Sequence, residues 1–269
     1  MKKSFLILFL IAINLTSFGQ ALKFEKVALS DSVALANQMQ QLAVSWPQQK
    51  SSEIDVFKLQ IVSGNYKQAI TTLEKRIQET PKNERIYLEL YQQFAKAKLS
   101  SNDKETFRQL YKNYLINSDD IHVIDLDNTL IARDGTDYFI YDFDATYKKI
   151  TSDSISIETA QNLINKYFLR AVYSSTRAIF FDEIKQDHKR RYNINDSIVI
   201  QMKDGAEISV LVVQRKGSST AKNSALLISS IYEGTNDQHA ILSAFNGYIG
   251  VVANYRGKRL SKAEAQTFD

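Results

Sequence analysis

The stretch from 194 to 257 constrains this chain most, because its apolar residues change rhythm in a fixed order. Ile194, Ile198 and Ile200 are spaced by polar residues, the turn Lys203-Asp204-Gly205 follows, and Ile208, Val210 and Val212 alternate again. Alternation on both sides of an Asp-Gly turn predicts two strands joined as a hairpin. A polar connection, 214–223, leads into Ala225-Leu226-Leu227-Ile228. That continuous apolar run is too short for a helix and is expected as a strand buried on both faces. After a loop over 229–234, Ala240, Ile241 and Ala244 recur at helical spacing, Gly247 supplies a helix stop, and 248–253 reads as another buried strand. The expected order is strand, strand, strand, helix, strand.

Four motifs in this stretch carry a resemblance: Met202-Lys203-Asp204-Gly205-Ala206-Glu207-Ile208, Ser230-Ile231-Tyr232, Asn246-Gly247-Tyr248, and Arg256-Gly257 with Ser261 following. In order and spacing they are similar to the X-prolyl dipeptidyl-peptidase and cocaine-esterase group of serine hydrolases. The resemblance covers residues 193–269 and implies the first strands and helix of an incomplete α/β-hydrolase fold. It further implies that Tyr232, in the loop after the third strand, is a catalytic residue donating its phenol to an oxyanion hole. The implied substrate is a peptide, amide or ester, with no cofactor and no metal. At Asn254 the chain departs from the pattern, which usually has an aspartate two residues before the Arg-Gly pair. The family's Gly-x-Ser-x-Gly elbow and the acid and histidine of its triad follow these motifs and are expected downstream of Asp269. The expectation is therefore the amino-terminal portion of a secreted serine hydrolase acting through an acyl-enzyme, inactive as this chain alone.

At its start the chain has Met1-Lys2-Lys3, an almost wholly apolar run over 5–15, and small residues at Ser17 and Gly19. These are the three regions of a secretory signal peptide over 1–19, so the mature protein is expected to begin at Gln20 and to be secreted or periplasmic. Loss of Lys2 and Lys3 with that leader takes the formal charge from +4 to +2. This balance argues for neither nucleic acid nor an anionic membrane as partner. Apolar residues make up 44% of the chain and aromatics 11%, enough for a packed interior without disulfides, which the absence of cysteine excludes.

Over 20–118 apolar residues return every three or four positions, predicting helices. The spacing Gly64-x-Tyr66-x-x-Ala69-x-x-x-Leu73, closed by Pro81, resembles the second half of a tetratricopeptide repeat, with Arg76 where that repeat prefers a small residue. No second copy follows at Lys98, so the expectation is a helical hairpin or bundle rather than a solenoid.

Residues 119–192 read as an aspartate-rich linker followed by a helix whose stripe includes Ala160, Leu163, Ile164, Tyr167, Phe168 and Ala171. Val123-Ile124-Asp125-Leu126-Asp127-Asn128-Thr129-Leu130 also matches the first motif of haloacid-dehalogenase phosphatases. There, paired aspartates at the end of a buried strand attack phosphorus, shuttle a proton and hold magnesium. Too few residues remain before the strand-rich stretch for the sheet and later motifs such an enzyme needs. Leu130 also stands where a calcium loop requires glycine. Turn-forming aspartates in a solvated linker are the expected reading. His122, His188 and His239 lack partners at triad spacing and are expected as surface or linking histidines, while Lys189-Arg190-Arg191 is expected to end a helix.

The sequence thus predicts an α+β protein: a helical region, a linker with a helix, and an incomplete hydrolase module. Two alternatives differ in class. One is a secreted, non-catalytic helical protein with a vestigial hydrolase-like tail, binding a partner through residues 28–118. The other, minor, is a phosphatase built on Asp125 and Asp127.

Overall fold

A computed structural model describes residues 21–47, 54–131, 138–217, 224–230, 236–257 and 259–261. The expected leader, including Ser17 and Gly19, lies outside them. Among the described residues the elements run β1 (Ala21–Lys23), α1 (Ser32–Val44), α2 (Val56–Val62), α3 (Tyr66–Glu79), α4 (Ile86–Ala97), α5 (Asp103–Asn117), α6 (Asp120–Ile131) and α7 (Tyr138–Lys148). They continue as β2 (Ser154–Ser156), α8 (Ile157–Arg191), β3 (Tyr192–Gln201), β4 (Glu207–Arg215), β5 (Ala225–Ser230), α9 (Asn236–Phe245) and β6 (Ile249–Asn254). The class is α+β. By internal contacts the chain forms two units interleaved in sequence, one of Met1–Thr80, Tyr87–Ser101 and Asp137–Ser175, the other of Pro81–Ile86, Asn102–Thr136 and Thr176–Asp269.

The first unit is helical, with β1 and β2 paired antiparallel through Leu22 and Ile155. Asp31 Oδ1 accepts from the Ala34 N–H at 2.9 Å, the side-chain cap that starts α1. At the end of α2, Gly64 at φ +82° lets its own N–H reach the Ile61 carbonyl while that of Asn65 reaches Gln60. This pair of bonds satisfies two of the carbonyls in the last turn and leads the chain directly into α3. Ala69 and Leu73, the small and large residues of the repeat-like spacing, are fully buried on α3. Phe168 of α8 meets Tyr91 and Phe57 edge-on, with centroids 4.8 and 5.8 Å away.

In the second unit a four-stranded sheet has the order β3-β4-β6-β5. The neighbours β3 and β4, and β4 and β6, are antiparallel, whereas β5 and β6 are parallel and joined by α9. These five elements stand in the expected order. One sheet face packs against α6 and α9 through Ile124, Tyr192, Leu211, Val213, Ala240 and Val252. Gly250 permits this, because a Cβ there would lie 2.2 Å from the Ala240 carbonyl oxygen.

Three expectations are corrected. Residues 120–131 form a helix rather than a solvated linker, and 138–148 another. Asp119 accepts from the His122 N–H at 2.9 Å, so this aspartate starts a helix instead of making a turn. Val123, Ile124, Leu126 and Asp127 are buried together on the helix, a spacing whose tertiary partners the sequence alone did not reveal. Second, β5 is not buried on both faces: it is an edge strand, with Leu226 43% and Leu227 69% exposed, because no described strand pairs with its outer side. Third, His122 and His188 are buried, and only His239 is at the surface.

Candidate functional site

The chemistry-bearing groups of the second unit gather at a cleft of ≈ 470 Å³ lined by residues of α6, α8, α9, β3, β4 and the loop after β6. The long α8 supplies most of one wall. Its buried stripe continues by steps of four from Phe168 through Val172, Thr176, Phe180 and Ile184 to His188, so the helix carries a histidine where its pattern calls for an apolar residue. Asp127 stands one turn beyond Val123 on the buried face of α6.

The two meet although they are 61 positions apart: His188 Nε2 lies 2.9 Å from Asp127 Oδ2. Both residues are nearly closed to solvent, at 5% and 7% exposure. A carboxylate can only accept, so the imidazole proton facing it sits on Nε2. Nδ1 is buried and has no hydrogen-bond partner among the described residues. An unsatisfied buried polar atom costs about 1–3 kcal/mol. Opposite them, Arg259 pairs with Asp237 Oδ1 at 2.6 Å. Its backbone, at φ +55°, lies in the left-handed region, which costs a non-glycine residue roughly 1–2 kcal/mol.

Beside this pair lies a second, denser network. The Arg191 guanidinium donates to Asp187 and Asp120 and to the carbonyls of Leu115 and Ser118, at 2.7 and 2.9 Å, capping the end of α5. Burial opposes the charge on Arg191, but the two carboxylates outweigh it and hold its pKa above the usual value. Tyr192, the first residue of β3, is buried next to this network; burial, reinforced by Asp120, pushes its phenol up to about 12. The basic run Lys189-Arg190-Arg191 does end a helix, and its last member is a structural keystone rather than a free cation.

Tyr232, the oxyanion donor implied by resemblance, lies outside the described residues. β5 ends two residues before it, and Ser230 of β5 is in register with Asn254 of β6. The two parallel strands therefore end together at one edge of the sheet. Asn254, where the resemblance leads one to expect an aspartate, is buried and donates to the Ser209 carbonyl and hydroxyl at 3.2 and 3.1 Å. Arg256 finds its counter-ion elsewhere, in Asp204 of the β3–β4 turn, and that hydrogen bond holds the Asp204 carboxyl below its usual range. Ser261 donates to the Glu207 carbonyl and accepts from the Gly257 N–H at 3.2 Å, which closes the loop after β6 back onto β4.

Asp125 and Asp127 do not form the phosphatase constellation. They lie on a helix, where residues two apart point about 200° away from each other, instead of at the end of a strand. Among the described residues no group of three metal-ligating side chains is present. Sequence reasoning passed over the pairing of Asp127 with His188. The available signal was the position of His188 on the apolar stripe of α8.

No family model matches the chain, and no curated protein matches it. A solved structure similar to part of it is an alpha-amino acid ester hydrolase labelled with selenomethionine, 20% identical with a TM-score of 0.23. The match covers 28% of this chain and spans only 14% of that one, too slight a likeness to decide fold or activity.

Proposed function

We propose that residues 193–269 are the opening of a serine-hydrolase domain of the X-prolyl dipeptidyl-peptidase and cocaine-esterase type, which cleaves peptides, amides or esters. The observation that supports this reading is the sheet: an antiparallel pair followed by a parallel strand-helix-strand unit, in the order β3-β4-β6-β5, over the stretch that carries three of the four family-like motifs and the first residue of the other. In this reading Tyr232, just past the end of β5, donates to the oxyanion, and Arg256, Asp204 and Ser261 fix the neighbouring loop. These 269 residues contain no Gly-x-Ser-x-Gly, so the nucleophile comes from sequence outside them. The test is fluorophosphonate labelling of the protein immunopurified from the cells that make it. A labelled native protein, beside an unlabelled recombinant chain of these residues, supports the reading; a native protein of this chain's own mass that takes no label overturns it.

Export accompanies this proposal. The protein recovered from periplasm or medium begins at Gln20, and an intact mass that retains 1–19 argues against it.

A second reading, a helical interaction protein, is favoured by a concave cavity of ≈ 640 Å³ in the first unit, lined by Leu35, Ala36, Ile61, Tyr66, Phe94 and Tyr167 among others. Peptides selected for binding to the chain should lose affinity on Ala36→Arg, which fills the cavity from an exposed position. Binding indifferent to that change removes the reading.

A further inference from the structure

We infer that the cavity of the first unit binds a small amphiphilic carboxylate, with its apolar body between aliphatic and aromatic walls and its anionic head on Lys98 and Arg170. The inference rests on the cavity of the second reading above and names the chemistry that cavity takes. Its volume of ≈ 640 Å³ lies within the range of small-molecule sites, roughly 300–1,000 Å³. Leu35 of α1, Ile61 of α2, Phe94 of α4 and Ile140 of α7 give it apolar walls. Among the described residues that line it, the charged ones are Lys98 and Arg170, and no carboxylate stands with them. The occupant is therefore chosen by charge as well as by shape.

Both cations are held by their surroundings. The Arg170 guanidinium lies over the Phe143 ring, 5.2 Å from its centroid, and donates from Nη1 to Asp144, which is not among the lining residues. That ion pair fixes the group and occupies one edge of a fork that carries five donors in all. Just past α4, the Lys98 ammonium sits 5.4 Å from the centroid of Phe94, on the cavity wall. Tyr167 stands on the same wall, and burial raises the pKa of its phenol above the usual value, so the group remains a hydroxyl donor. Guanidinium, ammonium and phenol can all donate, and an ionised carboxylate only accepts. With Asp144 already on Arg170, the remaining charge suits a monoanion rather than a dianion. An alcohol of the same shape gains no charge-assisted bond, and an amine brings a third cation to the site.

The experiment titrates the whole chain with phenylbutyrate, phenylbutanol and phenylbutylamine, one skeleton with three heads, by calorimetry at neutral pH, and locates the bound probe by nuclear Overhauser contacts. Expected are binding of the carboxylate at least about tenfold tighter than either of the others and contacts from its ring to the methyl groups of Ile61 and Ile140. In Lys98→Gln, which keeps most of the stem and removes the charge, the preference should fall toward parity. Equal affinities, no binding of any probe, contacts elsewhere on the chain, or an unchanged preference in Lys98→Gln overturns the inference. Should that variant fail to fold, the affinity ratio and the contacts of the wild-type chain still decide. The second reading fails separately: peptides that bind and lose affinity on Ala36→Arg keep it standing whatever the three probes do.

Discussion

At the scale of single residues, Tyr192 shows how burial becomes a measurable dependence on pH. Its phenol, at about 12 in the folded protein, stays protonated where an unfolded chain near the ordinary value of 10.0 has lost its proton. The contribution is therefore complete below about pH 10 and lost as pH rises through 12, because across that window the unfolded chain sheds a proton that the native state keeps. Tyr192→Phe should flatten this decline, as read by urea denaturation on either side of the window. Its hydroxyl has no hydrogen-bond partner among the described residues, so the same variant at neutral pH is expected to be neutral or up to about 1 kcal/mol more stable. A loss of more than about 1 kcal/mol would mean the hydroxyl is satisfied after all. His188→Ala makes the opposite case: it leaves the buried Asp127 carboxyl without its hydrogen-bond partner and should cost about 1–3 kcal/mol, measured by the same denaturation.

At the scale of elements, the closeness of α9 to β6 rests on Gly250. A methyl group there meets the backbone of Ala240, which cannot swing aside as a side chain could. Gly250→Ala is expected to lower stability by about 1–3 kcal/mol, and a melting temperature unchanged from wild type would show that helix and strand part freely. The two edges of the sheet differ in their protection. β3 carries a bulge between Asn195 and Ile198 with Asp196 inside it, whereas β5 exposes Leu226 and Leu227 and carries no charge. An apolar edge that no described strand covers invites pairing with another chain. Leu227→Lys should therefore reduce concentration-dependent association in sedimentation velocity while leaving the far-ultraviolet dichroism unchanged, and persistent association would place the sticky surface elsewhere.

At the scale of the whole molecule, acyl transfer needs a nucleophile, a base and oxyanion donors converging on one carbonyl. These residues, on the proposed reading, supply only the donor, so the recombinant chain is expected to hydrolyse neither prolyl anilides nor simple esters above background. In the active native protein, Tyr232→Phe should lower kcat by ~10² to 10³ with little change in KM, the pattern of a donor that engages only the transition state. Unchanged turnover would make Tyr232 an ordinary aromatic. Much of this molecule was legible beforehand because it is written locally. Alternation around Lys203-Asp204-Gly205, the apolar runs of β5 and β6, the helical return of Ala240, Ile241 and Ala244, and the glycine stops each depend on residues within one turn or one strand of each other. Such periodicities settle helix against strand where a face must be buried. They do not say which face meets what. Val123 to Leu126 could serve a strand or a helix equally well, and it was the packing of Ile124 beneath the sheet, with the cap at Asp119, that decided for a helix. Whether the apolar run of β5 is core or edge depends on neighbours that no local pattern names. The pairing of Asp127 with His188 spans 61 positions and exists only because two buried helix faces meet, so the tertiary structure alone could assemble it.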